Sequence, residues 1–465
     1  MISIPKIIAK ALCIAVISQA LAAAPGVKLP PYKKTALKNG MTVVLMEQRK
    51  APLVDIQLTF RSGTTSDPEG KEGLADITND LLRKGTKKYN SLQISEALDS
   101  RGATFSTYAG FDSTRATAQF MAKDIAGGLD LFAEMLTQPT FPEDEFNKLR
   151  AQNIDALRSA KDSAISVLSR YYFSFLYGDH PYARPQGGDE NSLAAITRGD
   201  VLKCYASNYS PANAILVIVG DFKTSDMEKM VSQKFGNWKQ NAPKAIELPK
   251  PSPVKGQKLL LVDKPDATQT YFVIGNIGVE RTNPDRVAIE VVNILFGGRF
   301  TSMINTALRI KSGLTYGASS GFAMNKVAGP FLISSFTANA TTEKALELTL
   351  ETLKELHEKG FTEEDLVSAK AYIKGTYPPR ALETGAQLAS RLSDLQLYGL
   401  PDSDVNDYYA KVDAVTLDEA SRAIKNYFPL DDLCFVLIGK ADEIRPAAEK
   451  FAGEIKEKSI SEPGF

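Results

Sequence analysis

The chain has 465 residues, 43% of them hydrophobic and 24% charged, and its 55 basic and 55 acidic side chains leave a formal net charge of zero. That length exceeds one ordinary core and calls for two or more domains. Balanced charge excludes the basic field that recruits nucleic acid, and the chain shows no like-charge runs or low-complexity tracts.

Residues 1–24 read as a signal peptide. Lys6 and Lys10 form the positive start, Ala11 to Leu21 is an apolar stretch too short to span a bilayer, and Ala20, Leu21 and Ala22 fit a small-x-small cleavage site. The expected location is periplasmic, with no membrane association after cleavage, because no later stretch is long and apolar enough to anchor the chain. Cys13 lies inside the removed segment without the small residues before it that lipidation requires. Export would permit Cys204 and Cys434 to pair, but one falls in a helical pattern and the other in a strand-like run, so buried free thiols are the expectation.

The first domain is read as 30–241. Val54, Ile56, Leu58 and Phe60 alternate with Asp55, Gln57 and Thr59, the pattern of a half-buried strand. Over 73–86, Leu74, Ile77 and Leu81 form a helical apolar stripe, with Asp76, Asn79, Asp80 and Arg83 opposite as a solvated polar face and Gly85 at the end. Asp124 is placed to cap a helix carrying Ile125, Leu129, Phe132 and Leu136. His180 sits in a turn-like Gly178 to Tyr182 segment as a structural residue. Residues 242–257, holding Pro243, Pro249, Pro251 and Pro253, read as an extended, semi-rigid linker.

The second domain, 258–460, repeats the first. Phe141 to Phe146 recurs as Phe361 to Leu366, and Asn208 to Pro211 recurs as Asn426 to Pro429, each pair about 219 residues apart. Each of the latter is followed by an apolar run ending in glycine, Ile215 to Gly220 and Cys434 to Gly439. Ordered matches at one offset imply two homologous domains. The fold class expected is α+β, each domain a mostly antiparallel sheet with helices on one face, the two forming a clamshell. Gly297 and Gly298 make a turn, Thr301 or Ser302 caps a helix, Gly313 ends it and Tyr316 opens a strand. His357 falls at a solvated helix end.

The 73–86 segment resembles the active-site helix of insulinase/pitrilysin-type zinc peptidases, whose signature is His-x-x-Glu-His. The resemblance puts the ligand histidines at Asp76 and Asp80, the general base at Asn79 and the distant third ligand at Ala156. Two imidazoles one helical turn apart and a carboxylate hold zinc, and Asn79 cannot take a proton from bound water. The chain's only two histidines lie 177 residues apart, so no helical pair exists. No metal site is therefore expected here. Asp76 and Asp80 would need further oxygen ligands to hold a hard cation.

Residues 297–316 are similar to the family's second-domain motif, which implies that Arg309 and Tyr316 hold a substrate carbonyl and stabilise its oxyanion. Leu37 to Leu45 and Gly102 to Tyr108 also resemble the family, and the latter implies a strand edge at Phe105, Ser106 and Thr107 able to align a peptide or, equally, a covered edge. In the family's bacterial heterodimers one chain carries the zinc motif and the other the Arg/Tyr pair. The expected function is thus a non-catalytic subunit of a zinc metallopeptidase, inactive alone, with no cofactor in this chain. Its partner is a homologous zinc-binding subunit, and its ligands are peptide substrates. The alternative is a structural or peptide-binding scaffold with no role in proteolysis.

Overall fold

The computed structural model describes residues 26–240, 242 and 246–465. The signal segment lies outside them. The first half contributes β1 (Lys33–Ala36), β2 (Thr42–Glu47), β3 (Leu53–Phe60), β4 (Thr104–Ala109), β5 (Thr114–Met121) and β6 (Ala214–Gly220). The second contributes β7 (Gln257–Asp263), β8 (Gln269–Ile277), β9 (Ala318–Phe322), β10 (Pro330–Ala338), β11 (Leu433–Gly439) and β12 (Glu454–Ser459). They form two six-stranded sheets ordered β1-β2-β6-β3-β5-β4 and β12-β7-β11-β8-β10-β9. β6 runs parallel to β2 and antiparallel to β3, and β11 runs parallel to β7 and antiparallel to β8. The duplication read from the sequence is thus a duplication of topology. The halves differ at one edge, where β1 is antiparallel to β2 but β12 is parallel to β7.

Every residue of β6 and β11 is buried. A strand buried on both faces reads as a continuous apolar run, and Ile215 to Val219 and Leu433 to Ile438 are such runs. The cover on the two faces comes from different halves. Within each half, its own helices pack one sheet face into the main core. On the other face the halves exchange helices. Helix Ala164–Tyr177 lays Val167, Leu168, Tyr171 and Tyr172 on Leu260, Val262, Val273, Val436 and Ile438 of the second sheet. Helix Gly385–Tyr398 lays Leu388, Ala389 and Leu392 on Val44, Met46, Ile215, Val217 and Val219 of the first.

This exchange corrects the reading of β3 as half-solvated. Asp55, Gln57 and Thr59 are buried beneath helix Gly385–Tyr398. Gln119 donates to Asp55 Oδ1, and the Thr59 and Ser393 hydroxyls bond each other at 2.7 Å. Polar pairs also cross between halves. Tyr172 donates to the Phe331 carbonyl at 2.9 Å, Tyr177 donates to the Ala328 carbonyl, and Arg115 pairs with Asp394 at 2.8 Å. Asp112 accepts from the Tyr182 hydroxyl and from the Lys326 backbone.

Between helix Thr224–Phe235 and β7 there is no helix or strand among the described residues, and the stretch from Pro249 to Val254 is pinned. Val254 is buried and bonded twice to the Asn276 amide. His180 holds its own turn through Tyr182 and meets the Pro249 carbonyl at 2.9 Å, a structural role. His357 is not merely solvated, since its ring nitrogen lies 2.7 Å from the Phe428 carbonyl. Cys204 and Cys434 are free and buried. Asp124 and Ser302 stand at their helix starts without capping through their side chains.

Candidate functional site

The helix expected to carry chemistry is shorter than its pattern. It runs Leu74–Asp80, then tightens into a 3₁₀ turn at Leu81–Arg83. Its N-terminus is capped from a distance, because Asp67 accepts from the Gly73 and Ala75 backbone N–H groups. Gly73 sits at φ +92°, and a Cβ there would stand 2.9 Å from the Gly187 backbone. Only glycine meets both conditions. The Gly187–Gly188 loop therefore closes directly over this helix.

The polar face is only partly solvated, since Asn79 is buried and Asp76 and Asp80 are half-buried, where the sequence reading gave all three to water. Asn79 is 1% exposed. Its amide donates to the Arg115 carbonyl at 3.1 Å and accepts from the Tyr209 hydroxyl. Asp80 accepts from Thr107 Oγ1 on β4. Asp76 is half-buried, and desolvation pushes its carboxyl up to about 7, with the neighbouring Asp80 charge adding and the Arg170 charge opposing. Burial raises Asp80 as well, against the pull of Thr107, Lys84 and Arg83. Arg170, on the exchanged helix Ala164–Tyr177, carries a buried Nη1 without a hydrogen-bond partner. Sequence periodicity within 73–86 had no means of finding Arg170 or the glycine loop, since both arrive from beyond residue 160.

A carboxyl raised in the fold binds a proton that the unfolded chain has already lost. Between about pH 4 and pH 7 the native state holds more protons, so this group makes stability fall as pH rises through that window, and its effect is flat above it. Asp80 acts with the same sign. Asp76→Asn removes the effect and is expected to stabilise the chain at pH 8 by roughly 1–3 kcal/mol relative to its effect at pH 4. Urea unfolding at the two pH values tests this, and an unchanged pH slope in the variant rejects it.

β4 is an edge strand, paired only with β5. Phe105 is buried into the core, Ser106 is exposed and bonded to Thr117, and Thr107 turns toward Asp80. The three predicted residues thus lie beside the degenerate helix, on the strand whose outer edge is unpaired within the sheet.

Arg309 and Tyr316 lie in the other half. Helix Arg286–Asn293 runs on through a wide π turn at Ile294–Gly298. After a break, helix Met303–Asn305 passes into a second π turn, Thr306–Lys311. Such turns concentrate at functional sites. Gly313 at φ +68° ends it. A Cβ on Gly297 would stand 2.4 Å from the Ser320 nitrogen, so glycine is what lets this turn reach β9.

The stretch after the helix is tied down by its backbone. Asn305 bonds both the Phe300 carbonyl and the Ala318 N–H, Thr337 donates to the Leu314 carbonyl, and Ser335 donates to the Gly317 carbonyl. The side chain of Tyr316 is left 80% exposed. Arg309 is steadied over the Phe300 ring, its guanidinium carbon 4.7 Å from the centroid, and Phe300 is itself 60% exposed. Phe300 lies inside the motif quoted from the sequence but its role was missed. No hydrogen bond or ion pair among the described residues joins Arg309 or Tyr316 to Asp76, Asn79, Asp80 or β4.

Two family models match the chain in succession. One, described as insulinase (peptidase family M16), covers residues 42–189, and the other, described as peptidase M16 inactive domain, covers 195–373. The chain belongs to the insulinase, or M16, peptidase family. Among curated M16 relatives, a non-peptidase homolog, YmxG, of Helicobacter pylori is 24% identical over 85% of this chain and 91% of its own. A protein called zinc protease PqqE from the same organism is 25% identical over 86% and 91%. A crystal structure of a peptidase M16 inactive domain from Pseudomonas fluorescens superposes with a TM-score of 0.82 at 26% identity, covering 88% of this chain and 98% of that one.

M16 membership raises the question of whether zinc fits. The donors are wrong for it: Asp76 and Asp80 are carboxylates, Asn79 is a hydrogen-bonded amide, and Ala156 lies exposed on helix Glu143–Ala160 with nothing to offer. Among the described residues no group of three or more His, Cys, Asp or Glu side chains is placed to share a metal ion. The half-buried polar residue of that stretch is Asn153, another amide.

Proposed function

We propose that this chain is the non-catalytic subunit of a zinc metallopeptidase, binding peptide beside a homologous partner that carries the metal and lending Arg309 and Tyr316 to that partner's site. The observation that carries this is the contrast between the two half-sites. Asn79 of the degenerate helix is buried and bonded within the chain, whereas Phe300 and Tyr316 stand exposed and the half-buried Arg309 guanidinium, over the Phe300 ring, has no hydrogen-bond or ion-pair partner among the described residues. Donors held in place without an internal partner suit a developing oxyanion supplied from outside. The open edge of β4 suits an extended peptide. The signal-like first residues support a periplasmic location.

The test is peptide cleavage by this chain alone, by a zinc-bearing homologous chain alone, and by the mixture. Activity confined to, or raised at least tenfold in, the mixture is the expected result. Zinc-dependent hydrolysis by this chain alone overturns the proposal, and an inert mixture with stable binding favours a scaffold.

A further inference from the structure

The second half holds a polar cavity that the proposed function does not use. It measures about 230 Å³ and lies between helix Arg286–Asn293, helix Glu363–Ala381, helix Gly385–Tyr398 and helix Tyr408–Ala414. Its position follows from the duplication. Residues Leu74, Ala75, Ile77, Thr78, Leu81 and Leu82 are buried, and so are the residues 214 positions later, from Ala288 to Phe296. At the same offset Glu290 answers Asp76 and Asn293 answers Asn79. On the exchanged helices Arg391 answers Arg170, 221 residues later. The cavity is the second half's copy of the degenerate metal cleft.

Its wall is rich in arginine. Arg286 is committed to Asp404, both with little side-chain exposure. Arg281, Arg380 and Arg391 line the same cavity and form no salt bridge among the described residues. The remaining acid is Glu290, whose carboxyl burial raises above the ordinary range. Arg391 is held over the Tyr377 ring, 5.6 Å from its centroid. Tyr408 is 3% exposed, lines the cavity, and faces the Glu290 carboxyl, its nearest hydrogen-bonding partner. A guanidinium fork matches a carboxylate bidentately. Ile294 and Ile373 complete the lining with apolar surface.

We infer that this cavity is a binding site for the free carboxylate end of a peptide, with Arg281, Arg380 and Arg391 receiving the carboxylate and Ile294 and Ile373 receiving hydrocarbon. The apolar patch beside the cations selects a carboxylate on a hydrocarbon body over a bare inorganic anion. The site deepens the proposed peptide-binding role, but its test uses this chain alone and so stands apart from cleavage in the mixture.

Calorimetric titration of the full chain with a short apolar peptide as free acid, with the same peptide as its C-terminal amide, and with inorganic phosphate decides it. The free acid is expected to bind at least tenfold tighter than the amide and than phosphate. Arg391→Ala is expected to weaken the free acid at least tenfold, with Arg391→Lys recovering only part. Arg380→Ala, at an exposed position, guards against misfolding of the first variant and is expected to weaken binding severalfold. Equal affinity for acid and amide overturns the inference, as does tighter binding of phosphate.

Discussion

On the proposed reading, Arg309→Ala is expected to lower peptide cleavage by the mixed chains by about 10²- to 10³-fold, the loss that follows removal of one oxyanion donor, while the variant keeps its fold and its affinity for the partner. The fold is preserved because the Arg309 side chain rests over an exposed ring and touches no core residue through a hydrogen bond. Arg309→Lys recovers little, since a point charge does not replace a planar fork. Tyr316→Phe gives a smaller loss of the same kind, confined to kcat, because the hydroxyl is removed and the backbone anchors at Leu314 and Gly317 remain. Steady-state kinetics of the reconstituted pair measure all three. Wild-type rates with Arg309→Ala would mean that the arginine serves something other than the reaction.

Tyr172→Ala destabilises the chain by about 3–5 kcal/mol, the range for deleting a fully buried aromatic. Tyr172 is fully buried between an exchanged helix and the second sheet, and its hydroxyl donates to the Phe331 carbonyl. Gly275 shapes the same place: a Cβ there would stand 2.5 Å from the Tyr172 hydroxyl and 2.0 Å from the Phe331 oxygen. Tyr172→Phe, which empties only the hydrogen bond, costs about 1 kcal/mol. Chemical denaturation of full-length variants separates the two. A single shared transition for both halves is expected, because the residue belongs to both. If Tyr172→Ala melted only one half, the exchanged helices would not couple them.

The sequence made the duplication legible because β6 and β11 needed continuous apolar runs and the turns before them needed Asn-Tyr-x-Pro, and both survive as text. It made the closed helix legible as a pattern and misleading as an environment. Asp76, Asn79 and Asp80 sit on one helical face, and local periodicity assigns such a face to water. What takes Asn79 out of water is its bonding to the Arg115 carbonyl and the Tyr209 hydroxyl, and what crowds Asp76 is the Gly187–Gly188 loop, all far along the chain. The same limit hid the burial of Asp55, Gln57 and Thr59, whose cover begins at residue 385. Arg309 and Tyr316 were found through resemblance alone. The exposure of Tyr316 and the ring of Phe300 beneath the arginine belong to geometry that no spacing rule encodes.

The exchanged helices also set an order of events during synthesis. The face of the first sheet formed by Val44, Met46, Ile215, Val217 and Val219 is complete once β6 has emerged, but its cover is residues 385–398. Until the ribosome has made most of the second half, an apolar surface stands bare in the nascent first half, a condition that promotes aggregation.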